Sequence, residues 1–107
     1  MSDAQGYALG LLVEEMAEAA AMIGKALRFG IDTPGPNEPP YNGANARELL
    51  EIELGDVMAA IDYACASGLV SAAGLTQRAG RKLNKLMDPE SKDNLGRRLA
   101  PALEDRA

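Results

Sequence analysis

Five carboxylates stand at spacings that suit a metal ion: Glu14, Glu15 and Glu18 within "LLVEEMAEAA" (residues 11–20), and Glu53 and Asp56 within "ELGD" (53–56). Both stretches are otherwise apolar. At about 100° per residue, Leu11, Glu18 and Met22 fall within roughly 60° of Glu15, with Leu12, Ala19 and Ala26 just to the other side. Glu15 and Glu18 therefore occupy the core face of a helix, and Glu14 its edge. In the second stretch Leu49, Leu50, Val57, Ala60, Ile61 and Ala64 define the apolar face, with Glu53 and Asp56 in its middle. Glu48, Glu51 and Asp62 point the opposite way, to solvent.

Carboxylates on two apolar faces that pack together end up close to one another away from water. Each unpaired buried ion costs several kcal/mol, against a total stability of only about 5 to 15 kcal/mol. Three things can neutralise them: a buried Lys or Arg, protonation, or a divalent cation. Lys25 and Arg28 lie two to three turns beyond Glu15, with only Lys25 in reach of Glu18. A cation suits the geometry better, since i, i+3 pairs on two facing helices aim four oxygen ligands at one point. The usual alternative is a solvated strip of acids in exposed i, i+4 pairs. It suits one such pair better than two that are each centred in an apolar stripe, where a metal is the favoured reading. The chain has no histidine and one cysteine, so ligation by oxygen alone selects Mg2+ or Mn2+ over zinc or copper.

The elements that must position these groups are helices. A first helix begins near Ser2 or Asp3 and runs to Gly30; a second starts at Asn45, with Glu48 completing an Asn-x-x-Glu capping box, and stops at Gly68. A third runs from Val70 or Ser71 to just before Pro89. Between the first two lies a Pro-rich loop, residues 30–44, in which "IDTPGPNEPPYNG" carries four of the six prolines and cannot be helical. Long loops of this kind are often binding elements or lids. Residues 88–107 read as a C-terminal arm with a weak helix broken near Pro101. The expectation is one all-α domain, residues 1–107: an antiparallel bundle of three long helices plus the weak C-terminal helix, completed by oligomerisation.

Composition agrees. Of the 107 residues, 47% are hydrophobic but only 4% aromatic, and Ala, Leu and Met dominate as helix formers do. A net charge of −5, from sixteen acidic and eleven basic side chains, offers no broad basic surface to a nucleic acid. The lack of histidine removes Ser-His-Asp catalysis and imidazole acid-base chemistry. No export signal and no membrane span are visible, so the expected location is the cytoplasm.

With "EEMAE" and "ELGD" in this order, the chain resembles the MazG-type all-α nucleoside triphosphate pyrophosphohydrolases, over roughly residues 8–87. That superfamily includes dimeric dUTPases and phosphoribosyl-ATP pyrophosphohydrolase. Its signature is Glu-Glu-x-x-Glu followed, after a gap, by Glu-x-x-Asp. The resemblance implies Glu15, Glu18, Glu53 and Asp56 as Mg2+ ligands, with Glu14 supporting them or orienting the attacking water. It implies hydrolysis of a nucleoside triphosphate to the monophosphate and pyrophosphate, in a homodimer or homotetramer. A further family motif pairs an Asn with a Lys; in "RAGRKLNKL" Lys82 matches the Lys, Gly80 replaces the Asn, and Asn84 substitutes from the next turn. The gap of thirty-four residues between Glu18 and Glu53 exceeds that of compact family members. Just before the excess loop, Lys25 and Arg28 are candidates for phosphate contacts. Phe29 shares the arc of Glu18, Met22 and Lys25 and is read as core, as are Tyr41 and Tyr63. Two alternatives stand beside this reading: a non-catalytic helical interaction module, and a superfamily enzyme for a noncanonical substrate such as dUTP or phosphoribosyl-ATP.

Overall fold

The computed structural model describes residues 1–39 and 41–90. It is all-α, with α1 (Asp3–Phe29), α2 (Ala46–Ala66) and α3 (Ala72–Met87) in chain order and no strand among the described residues. The expected weak C-terminal helix lies outside these residues. The chain divides into two units, Met1–Val70 and a second beginning at Ser71. No helix among the described residues is long and apolar enough to cross a membrane.

The helix ends follow local chemistry. Ser2 caps α1 through a reciprocal box: its hydroxyl accepts from the Gln5 N–H, and the Gln5 side chain accepts from the Ser2 N–H. Gly30 closes α1 at φ 91°, donating its N–H to Ala26, a conformation that favours glycine. Asn45 caps α2 by accepting from the Glu48 N–H. Only this half of the expected box forms; no return bond from the Glu48 side chain is present among the described residues. Ser71 caps α3 in the same way, accepting from the Gly74 N–H.

Within the first unit α1 and α2 form an antiparallel hairpin. The start of α1 meets the end of α2: Gln5 Nε2 donates to the Ser67 carbonyl at 3.2 Å, and the Tyr7 and Tyr63 rings meet edge to face with centroids 5.5 Å apart. The seam is made by Ala8, Leu12, Glu15, Ala19, Met22 and Ala26 on α1. On α2 it is made by Ala46, Leu50, Glu53, Val57, Ala60 and Ala64. Of these Ala8, Ala19, Met22, Ala60 and Ala64 are buried. Small side chains at the crossing let the backbones approach closely. The two glutamates interrupt an otherwise apolar line.

Advancing one residue from the seam turns about 100° on each helix, and in an antiparallel pair the two turns bring both stripes out on the same flank. That flank carries Leu9, Val13, Met16, Ile23 and Leu27 of α1 with Leu54 and Met58 of α2, all exposed. Ile61 and Cys65, half-buried, extend it. Its spacing on α1 is the alternating four and three of a helix-packing stripe. Stepping back one residue from the seam reaches the opposite flank, which carries Tyr7, Glu14, Glu18, Lys25, Asp56 and Tyr63.

The Pro-rich segment is tied down rather than loose. Pro34 and Asn45 form an isolated antiparallel bridge, Gly35 N donates to Ala44 O at 3.0 Å, and Arg47 N donates to Ile31 O at 3.0 Å. Arg47 also forks onto Asp32, with Nε and NH2 at 2.8 and 3.1 Å from the two carboxylate oxygens. A Cβ at Gly35 would lie 2.7 Å from the Ala44 carbonyl, so the close approach of the loop to the start of α2 requires glycine there.

α3 is strongly amphipathic. Ala72, Leu75, Ala79, Leu83 and Leu86 share one face, Arg78, Arg81 and Lys85 lie away from it, and Lys82 borders it beside Leu75. None of its residues is buried.

Candidate metal centre

The seam brings Glu15, Glu18 and Glu53 together, with one carboxylate oxygen from each lying within 4.8 Å of the others. Glu15 and Glu53 are half-buried, whereas Glu18, expected on the core face of α1, is exposed on the flank above them, one residue back from Ala19 in the seam. Glu15 Oε2 and Glu53 Oε2 are shielded from solvent and have no hydrogen-bond partner. Buried polar atoms are nearly always satisfied, so two orphaned acceptors in one place are unusual.

Electrostatics follow from this crowding. Burial, then the Glu18 and Asp56 charges, hold the Glu15 carboxyl above its ordinary range. Glu53 is raised first by burial, then by Glu18 and Asp56, and Lys25 opposes the shift. The closeness of the Glu18 carboxyl, near enough to share a proton with Glu53, also raises Glu53. Two carboxyls bond to each other only with a proton between them; with both ionised, Glu53 Oε2 has no donor. A proton or a cation relieves the same repulsion.

Asp56 departs from expectation. It was placed in the middle of the apolar face but is exposed, one residue back from the seam, on the same flank as Glu18. It acts on Glu15 and Glu53 through its charge, while the mutually close oxygens are those of the three glutamates. Glu14 is exposed and lines a shallow cleft with Tyr7, Gly10 and Leu11.

Lys25 is half-buried and donates to the Tyr41 hydroxyl at 3.0 Å. Arg28 is exposed, its guanidinium 5.3 Å from the Phe29 ring centre. Phe29, expected in the core, is 69% exposed: α2 begins only after the Pro-rich loop, and Phe29 borders the open cavity between that loop and α1. Tyr63 packs against Tyr7 at the other end of the hairpin and is partly exposed, and Tyr41 is half-buried in the loop. Lys82 and Asn84 lie on α3, exposed, in the second unit.

Two polar contacts had no signal in the sequence: the Lys25–Tyr41 bond and the Asp32–Arg47 pair, which join residues sixteen and fifteen apart across the loop. Neither helical periodicity nor turn preference encodes them.

The trio passes a simple test as a cation site. Its donors are all carboxylate oxygens, two of its three side chains hold an unpartnered oxygen, and a hard divalent ion accepts such a set. Comparison with protein-family models, curated proteins and solved structures finds no match to this chain.

Proposed function

We propose that the protein is a Mg2+-dependent nucleoside triphosphate pyrophosphohydrolase of the MazG-like type, Mn2+ being an alternative ion, and that it yields a nucleoside monophosphate and pyrophosphate. The observation that carries the reading is the meeting of one oxygen each from Glu15, Glu18 and Glu53 within 4.8 Å, where Glu15 and Glu53 each also have a buried, unpartnered Oε2, on helices bearing Glu-Glu-x-x-Glu and Glu-x-x-Asp. Bound there, a divalent cation supplies charge neutralisation for the phosphates and lowers the pKa of a water.

The chain's own residues then divide the work. Glu15, Glu18 and Glu53 hold the ion. Asp56, exposed beside them, completes the set from the open flank. Glu14 faces the same flank and orients the attacking water. Lys25 and Arg28, further along α1, contact the substrate.

The reading includes a second copy of the chain. The flank of Leu9, Val13, Met16, Ile23, Leu27, Leu54 and Met58 is mainly apolar and exposed, with Arg47 and Glu51 on the same side at the start of α2, and Glu14, Glu18 and Asp56 lie on the other flank. Pairing two such flanks gives a four-helix bundle with the carboxylates on its outer sides. The reading places the protein in the cytoplasm, where such nucleotides occur.

The test is a panel of NTPs and dNTPs, including dUTP, and phosphoribosyl-ATP, with and without Mg2+, following pyrophosphate and orthophosphate separately. Magnesium-dependent pyrophosphate from some members supports the reading. No turnover from any member overturns it in favour of a non-catalytic interaction module, for which the exposed apolar flank is the observation.

A further inference from the structure

A cavity of about 430 Å3 lies between the last two turns of α1, the Pro-rich loop and the start of α2, within the size range of small-molecule sites. It sits one turn from the acidic trio: Met22 and Lys25 in its wall follow Glu18, and Leu49 precedes Glu53. Its walls are mainly apolar, from Met22, Phe29, Leu49 and the loop prolines. The polar side chains are Lys25, Arg28, Thr33 and Tyr41. Among the described residues, none that line it carries a carboxylate or a carboxamide. By its side chains the cavity is rich in hydrogen-bond donors, and only the two hydroxyls can also accept.

The geometry of Lys25 sharpens this. Its ammonium lies 3.0 Å from the Tyr41 hydroxyl and 5.3 Å from the centre of the same ring. A cation centred above the ring face would be nearer the centre, so Lys25 lies toward the hydroxyl end of the ring. The contact is a hydrogen bond rather than a cation–π pair. Because the Tyr41 oxygen accepts from an ammonium, its own O–H is polarised as a donor, and Lys25 keeps two further N–H groups. Two donors stand 3.0 Å apart at the cavity wall.

We infer that this cavity takes the base of the nucleotide whose phosphates meet the acidic trio, and that Lys25 and Tyr41 select bases presenting a ring carbonyl, 6-oxopurines above all, over bases with an exocyclic amine at that position. The inference rests on the nucleotide reading given above. Guanine and hypoxanthine offer adjacent O6 and N7 acceptors to two donors, whereas adenine sets its N6 amine against one of them. Uracil and cytosine differ in the same sense at position 4. A donor facing a donor leaves both unsatisfied, which is how a polar site rejects a near-isostere.

The experiment is calorimetric titration of the full chain, in Mg2+, with IMP and AMP, which share sugar and phosphate, and with UMP and CMP as a second pair. The expected result is IMP tighter than AMP by about tenfold or more, UMP tighter than CMP in the same direction, and a gap that collapses in Tyr41→Phe. Circular dichroism of the variant checks that it folds, and Lys25→Met, removing the other donor, collapses the gap as well. Equal binding, tighter AMP, no binding of either purine nucleotide, or a gap that Tyr41→Phe leaves intact overturns the inference. Discrimination without hydrolysis of any triphosphate keeps the cavity and removes the pyrophosphohydrolase. Hydrolysis of ITP and ATP with equal kcat/KM does the reverse.

Discussion

Glu15 and Glu53 face each other across the α1–α2 seam, and each buries an Oε2 that no hydrogen-bond donor reaches. In a hairpin whose other seam residues are aliphatic, this pair is a local cost. Mutation can relieve it without touching any other contact.

Glu15→Gln and Glu53→Gln should each raise the metal-free melting temperature, because an amide carries no charge to desolvate and removes the like-charge repulsion with Glu18. The same changes should abolish pyrophosphate release. Thermal melts in chelator, beside the product assay, check both signs. A large fall in melting temperature for both variants would mean that the carboxylates are structural.

Stability without metal should fall as pH rises above the ordinary carboxyl value of 4.5. Both glutamates are raised in the folded chain, so between 4.5 and their folded values the native state holds more protons than the unfolded one. That contribution is whole below 4.5 and disappears as pH rises through the folded values. Asp32 runs the other way: Arg47 lowers it from 3.8, so its contribution is present above 3.8 and lost as pH falls through the lower folded value. The two windows do not overlap. Denaturant midpoints across pH 4 to 8 should therefore decline in wild type and flatten in Glu15→Gln/Glu53→Gln, and a parallel decline in both proteins would contradict the assignment.

Val13→Glu or Met58→Glu should abolish the proposed pairing of two copies. Each places a charge in the apolar flank, where Val13 is 71% and Met58 67% exposed in the single chain. Desolvating an unpaired carboxylate at a packed interface should weaken association by about a hundredfold or more. Sedimentation velocity over a concentration series reads this directly, and an unchanged, monomeric wild type would remove the second copy from the account.

Gly35→Ala should destabilise the chain by about 1 to 3 kcal/mol, the usual range for forcing a methyl into a filled space. The obstacle is a backbone carbonyl at 2.7 Å, which cannot swing aside as a side-chain tip can. Chemical denaturation measures the loss. A neutral effect would mean that the loop relaxes at that point.

How much of this was readable beforehand depends on the kind of contact. The helix starts at Ser2, Asn45 and Ser71 follow from capping chemistry, which acts over three residues. Glu15 and Glu53 were legible as seam residues because their apolar neighbours repeat at helical spacing. Asp56 was misplaced by one position of that repeat, since Val57 rather than Asp56 continues the line from Glu53 to Ala60. The outward stripe of Leu9, Val13, Met16, Ile23 and Leu27 was equally visible as spacing, but two apolar stripes on one helix do not say which faces its own chain. Phe29 and Tyr41 depended on the course of the Pro-rich loop, which long-range bonds such as Arg47 to Asp32 decide.

The most direct test of the central claim is a calorimetric titration of the protein with Mg2+ in buffers of different ionisation enthalpy. The account predicts saturable binding accompanied by proton release at mildly acidic pH, because the ion displaces protons from carboxyls whose affinity for them is raised. It also predicts loss of that binding in Glu15→Gln and Glu53→Gln. No saturable binding, or binding that both variants retain, would contradict the assignment of this trio as the metal centre.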